Sequence, residues 1–284
     1  MFDLTRRATL AGAAALLPLA VARASSQPPF EGIEKRSGGI LRVAALDTGS
    51  GRRIGYRQDE RALMCSTFKF ILVAKVLSLV DSHVMKPDRP VKYTSADLLE
   101  WAPITRAHVS EGAMSVVDLC AAAIQHSDNT AANLLLGVVG GPPMVTGYAR
   151  KLGDTVTYFN RTEPTLNVLD GTRDTTMPSA MLADMQKLLL GDALSPASRA
   201  QLTEWMIGNT TGDSLLRAGF PASWKVGDKT GRGEQGATND IAIAWPPGRA
   251  PVLACVYTIG GRGSDDDRSA IVAEVGRAVA SAFG

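Results

Sequence analysis

The chain has 284 residues, 45% hydrophobic and 20% charged, a globular composition that excludes a disordered or fibrous polymer. Its 30 Lys and Arg against 28 Asp and Glu leave a net charge of +2, too small for the concentrated basic face that nucleic acid requires. Three histidines and three cysteines are scattered singly, without metal-ligand spacing or a disulfide framework, so no metal and no cofactor are expected.

In chain order, Arg6-Arg7 precede an uncharged stretch from Ala8 to Ala22 that ends in Ala22-Arg23-Ala24. This is the pattern of a cleaved export signal, residues 1–24, and the arginine pair hints at the twin-arginine route. The expected location is the periplasm or the medium. Cleavage removes Arg6, Arg7, Arg23 and Asp3, and the whole +2 leaves with them. No later apolar run approaches the roughly 18 residues that span a bilayer, so the mature chain is expected off the membrane.

Alternating apolar residues in 39–47 and 52–58, around Thr48-Gly49-Ser50-Gly51, predict a hairpin. From Ser66 the period lengthens, with Phe68, Leu72, Val76 and Val80 at helical spacing. Ser115 with Asp118 reads as a capping box for a helix over 115–125. Further helices are predicted over 128–138, 178–190 and 195–207. The period of two returns in 224–229, 240–245 and 252–259, and an amphipathic helix over 266–283 closes the chain. Strands at both ends and helices between them predict an α+β fold: a five-stranded antiparallel sheet from both termini, flanked by helices, with an inserted all-α domain. Residues 25–60 plus 212–284 would form the α/β domain and 61–211 the all-α domain, with a small-molecule cleft between them.

Three clusters carry chemistry. Ser66-Thr67-Phe68-Lys69 opens the first long helix, where residues three apart share a face. A serine needs an adjacent base to attack a carbonyl, and a desolvated lysine supplies one once neutral. The apolar run Phe70-Ile71-Leu72-Val73-Ala74 argues that this helix, and with it Lys69, is buried. Ser127-Asp128-Asn129 falls between two helices, and Lys229-Thr230-Gly231 closes a strand. A match to the dinucleotide fingerprint, Gly231-x-Gly233-x-x-Gly236, is discounted because a strand rather than a helix follows it.

S-x-x-K, S-D-N and K-T-G in this order form the signature of class A serine β-lactamases and penicillin-binding proteins. The chain resembles the former, also through Ser127–Asn133, Arg161–Asn167, Arg173–Pro178 and Asn209–Gly212. Glu163 and Asn167 favour the lactamase. An acyl-enzyme must admit water, and a carboxylate with an amide four residues on can hold and deprotonate it. The resemblance implies that Ser66 is the nucleophile and that Lys69 activates it, directly or with Glu163 acting through water. Ser127 would relay a proton to the leaving nitrogen. Lys229 and Thr230 would bind the substrate carboxylate, Asn129 its acylamide, and the N–H groups of Ser66 and Arg232 the oxyanion beside Gly231. Trp101 resembles the aromatic gate, and Arg161 with Asp174 the clasp of the catalytic loop. The implied activity is β-lactam hydrolysis by a cofactor-free monomer; the alternatives are a D,D-peptidase and a non-catalytic β-lactam sensor.

Three departures from the family pattern stand out. Only five residues separate Asn167 from Arg173, about two fewer than the resemblance leads one to expect. Arg232 follows Lys-Thr-Gly, while Leu215, Thr238 and Ser269 occupy the positions where the family carries an arginine for the carboxylate; Arg232 is expected to take over that charge. Gly233 and Val73 replace known partners of Cys65 and Cys120, so no disulfide is expected. The short loop and Arg232 hint at an altered spectrum that includes oxyimino-cephalosporins or carbapenems.

Overall fold

The computed structural model describes Met1 and residues 29–284, so the export-signal reading lies outside the described residues. The chain runs through α1 (Phe30–Ser37), β1 (Ile40–Asp47), β2 (Arg53–Tyr56), β3 (Ala62–Leu63) and α2 (Phe68–Asp81). It continues through β4 (Pro90–Lys92), α3 (Pro103–Ala107), β5 (Ala113–Ser115), α4 (Val116–Gln125), α5 (Asn129–Val139), α6 (Pro142–Lys151), β6 (Thr175–Thr176), α7 (Pro178–Leu189), α8 (Pro196–Ile207) and α9 (Leu216–Gly219). Last come β7 (Lys225–Arg232), β8 (Thr238–Trp245), β9 (Val252–Ile259) and α10 (Asp265–Phe283).

The five long strands form an antiparallel sheet in the order β2-β1-β9-β8-β7, as their alternation predicts. Both faces are buried, and the side-chain period of two sorts them. Leu41, Val43, Ala45, Ala242, Ala254 and Val256 pack with Phe30, Ile33, Val272, Val275 and Val279 of the terminal helices. Ala44, Leu46, Ile241, Ile243, Leu253 and Tyr257 face the other way, against α2, α4, α5, α7 and α8. Helix α2 is apolar on all sides and buried from Phe68 to Leu77. That burial places Lys69 out of water.

Several elements depart from the expectation. Helices α1, α3, α6 and α9 go unpredicted, as do the short pairs β3–β6 and β4–β5. Two- and three-residue strands are too short to show a period. Helix α6 begins Pro142-Pro143 after Gly140-Gly141, which reads as a loop, yet proline suits the first helical turn because its missing N–H has no partner there. Strand β7 runs past Gly231 to Arg232, so K-T-G lies within it. At α4 the Asp118 N–H caps onto Ser115 (3.1 Å), but the Asp118 carboxylate takes the Ser115 hydroxyl instead of its N–H, so half of the expected capping box forms. The fingerprint glycines lead into β8, as expected of a decoy.

Candidate active site

The three clusters meet where the start of α2, the α4–α5 loop and edge strand β7 converge. Ser66 sits in the short 3-10 turn Cys65–Thr67, which feeds α2. Gly231 lets β7 approach this turn, because a Cβ there would lie 2.8 Å from the Met64 carbonyl oxygen and 3.1 Å from the Ser66 nitrogen. Any side chain at 231 would force the strand and the nucleophile apart.

Lys69 is wholly buried one turn on. Its Nζ donates to Ser66 Oγ (2.8 Å), the Ser127 carbonyl oxygen (2.8 Å) and Asn129 Oδ1 (2.6 Å), and lies 3.0 Å from Glu163 Oε1. The Ser66 hydroxyl donates to that same Glu163 oxygen (3.1 Å). Burial lowers the Lys69 pKa, and the Glu163 charge opposes that shift. Lys229 enters from β7, donating to Ser127 Oγ (3.1 Å) and to the Thr230 carbonyl oxygen (2.8 Å). Burial, and then the Lys69 cation, bring Lys229 down to about 7. Ser127 Oγ thus lies between two lysines, with Lys69 Nζ 3.4 Å away.

Glu163 is held from both ends. Its backbone N–H donates to Asn133 Oδ1 (3.0 Å) and its carbonyl accepts from Asn133 Nδ2 (2.9 Å). Its Oε2 accepts from Asn167 Nδ2 (2.6 Å), and Asn167 Oδ1 is buried without a donor among the described residues. At the neck of this loop Arg161 Nε donates to Asp174 (2.6 Å), whose other carboxylate oxygen takes the N–H groups of Asn160 and Arg161. Asp174 has a left-handed backbone (φ 53°), a strained conformation that these bonds offset.

A cleft of about 650 Å³ opens above these groups, lined by Ser66, Trp101, Ser127, Asn129, Asn167 and Thr230, with Gly231 and Arg232 on the β7 side. Of the eleven site residues proposed from the sequence, eight line this cleft, and Lys69, Glu163 and Lys229 hydrogen-bond to Ser66 or Ser127 behind it. Trp101 stands exposed at its rim, its indole N–H on the His126 carbonyl (3.0 Å). The Arg232 guanidinium donates to Ser269 Oγ (2.8 Å), one of the positions vacant of arginine. Three residues inside the quoted motifs, given no role by the sequence, also contribute. Asn133 bridges to Glu163, Thr211 shares a hydrogen bond with Thr230 (2.6 Å), and Asp128 caps α5 while taking the Ile104 and Thr105 N–H groups. Asn133 stands four residues after Asn129, and that helical spacing is the signal that could have found it. Cys65, Cys120 and Cys255 are buried free thiols. A Cβ at Gly233 would sit 2.6 Å from Cys65 Sγ, so the two positions are neighbours.

A family model described as the β-lactamase enzyme family matches residues 30–283. Beta-lactamase L2 of Stenotrophomonas maltophilia is 50% identical over 87% of this chain and 82% of its own length. The carbapenem-hydrolyzing beta-lactamase KPC of Klebsiella oxytoca is 42% identical over 90% and 88%. Among solved structures, the class A β-lactamase reconstructed for the last common ancestor of Gram-negative bacteria superposes with a TM-score of 0.88 at 55% identity, covering 89% of this chain and 97% of that one. A β-lactamase of Xanthomonas campestris gives 0.88 at 49%, covering 90% and 96%. With the serine, its lysine and the loop carboxylate assembled in one cleft, the chain belongs to the β-lactamase enzyme family, in class A.

Proposed function

We propose that the enzyme hydrolyses β-lactam antibiotics, and so confers resistance to them, through an ester on Ser66 that water directed by Glu163 then breaks. The observation that carries this reading is Glu163 itself, fixed beside the nucleophile with Asn167. Ser66 Oγ attacks the lactam carbonyl as its proton passes to neutral Lys69, or to Glu163 through water. The N–H groups of Ser66 and Arg232 stabilise the oxyanion. The proton reaches the lactam nitrogen through Ser127, and the C–N bond opens. Water held by Glu163 Oε2 and the free acceptor Asn167 Oδ1 then gives its proton to Glu163 and attacks the ester. Asn129 and Trp101 position the acyl side chain.

The reading includes export by a cleaved signal, with a twin-arginine route, and action as a monomer on a small anionic substrate. Among the described residues no helix is long and apolar enough to cross a membrane. The division into 25–60 plus 212–284 and 61–211 rests on the chain leaving the sheet after β2 and returning at β7. The test is nitrocefin turnover. Sustained hydrolysis is the expected result; one equivalent released and no more would identify a penicillin-binding or sensor protein instead.

Lys229 sets the pH dependence of binding. Below about 7 Lys229 is cationic and attracts the substrate carboxylate; as pH rises through that value the free enzyme loses the charge. Thus kcat/KM for carboxylate-bearing substrates should fall on the alkaline side while kcat, which reports the loaded enzyme, holds. In Arg232→Ala, KM should rise roughly tenfold, the scale of one charged hydrogen bond, with a steeper alkaline fall. An unchanged KM and pH profile would remove Arg232 from carboxylate binding.

A further inference from the structure

Five buried carboxylate oxygens have no hydrogen-bond donor among the described residues, and three of them belong to one pair away from the cleft: both of Asp184 and Oδ2 of Asp154. Asp184 is fully buried on α7, and Asp154 is 6% exposed in the turn after α6. Both line a pocket of about 300 Å³ with Gly153, Val156, Met177 and Lys187. The other Asp154 oxygen is engaged, accepting the N–H groups of Val156 (2.7 Å) and Thr157 (2.9 Å). Neighbouring cations hydrogen-bond carbonyls instead: Lys187 that of Leu152, Arg150 that of Asp154 itself. Asp59, also lining the pocket, accepts the Ser179 hydroxyl (2.6 Å).

A carboxylate taken out of water and given no donor is strongly disfavoured, and a second one beside it adds repulsion. Lys187 and Arg150 stand nearby but give the orphaned oxygens no hydrogen bond, and the atoms the pair offers are all oxygen, the preference of hard divalent cations. Asp59 lines the same pocket, but among the described residues no group of three acidic, histidine or cysteine side chains is placed to hold one ion, so water would complete the shell, as Mg²⁺ in particular tolerates. The pocket has room for it.

We propose that Asp154 and Asp184 form a site for one hydrated divalent cation of the Mg²⁺ or Ca²⁺ class at the foot of the catalytic loop. The site departs from the expectation of no metal because its two ligands lie on separate elements, far apart in sequence, and leave no spacing signature. Occupancy bears on the loop through one short path. Asp154 orders Thr157, whose hydroxyl shares a hydrogen bond with Thr176 (2.7 Å), and Thr176 lies in β6 directly after Asp174 at the loop neck.

The full chain is to be unfolded thermally in about 10 mM MgCl2 or CaCl2 and in NaCl of equal ionic strength, with ion stoichiometry from equilibrium dialysis. One of the two cations should raise Tm by roughly 3–6 °C, the shift for an ion some twentyfold above a sub-millimolar Kd, with one ion bound per chain. Asp184→Asn, which removes the repulsion, should fold, keep nitrocefin turnover, and lose both the shift and the ion. Equal Tm in all three salts would overturn the site and assign the pair a shared proton; so would a cation response that survives in Asp184→Asn.

Discussion

Glu163→Gln should acylate and then stall. Glutamine keeps the volume, and its amide can still meet Ser66 and Asn167, but it cannot take a proton from water. Removing a general base lowers its step by about 10²–10⁴, so steady-state turnover should fall by about 10³. Nitrocefin should give a burst of one equivalent per enzyme, and the intact mass should rise by that of the opened substrate. The surroundings of Glu163 make the expectation specific. Asn133 fixes its backbone from both sides and Asn167 one carboxylate oxygen, so the substituted side chain has little freedom to move elsewhere. Turnover within tenfold of the parent, with no adduct, would remove Glu163 from deacylation.

The long elements and the reacting groups were legible in the sequence for one reason: each is written in local spacing. Lys69 lies one turn from Ser66, and burial of α2 follows from its apolar composition. The alternation in β1, β8 and β9 reads directly as two buried faces. What was not legible is non-local. The pairing of Ala62-Leu63 with Thr175-Thr176 joins residues more than a hundred positions apart, and neither segment has a period of its own. The Asn133–Glu163 bridge spans a loop that sequence leaves without geometry. Lys229 shows the same limit. The motif names it, but its low pKa arises from burial and from Lys69 on another element, a juxtaposition that only the fold creates.

Lys69→Met separates the two candidate bases for acylation. Methionine matches the buried stem in length and shape, so the variant avoids the cavity that alanine would leave. It removes the charge and every hydrogen bond of Nζ. Ser66, the Ser127 carbonyl and Asn129 Oδ1 lose a donor, and Glu163 loses its ion pair. Breaking a buried pair by deleting one partner costs roughly 3–5 kcal/mol, so the midpoint of urea unfolding should fall markedly while the chain still folds. Single-turnover acylation should slow by about 10³–10⁴, the larger part of what a positioned base supplies, and no acyl adduct should accumulate. The comparison with Glu163→Gln is then decisive. If Lys69 takes the Ser66 proton directly, Glu163→Gln acylates at nearly the parent rate and only Lys69→Met fails. If Glu163 takes it through water, both variants lose acylation, because each removes a group that meets Ser66 Oγ within 3.1 Å. Lys69 Nζ at 2.8 Å and Glu163 Oε1 at 3.1 Å both meet Ser66 Oγ directly, so the two variants together assign the group that opens the lactam, and in either outcome the glutamate releases it.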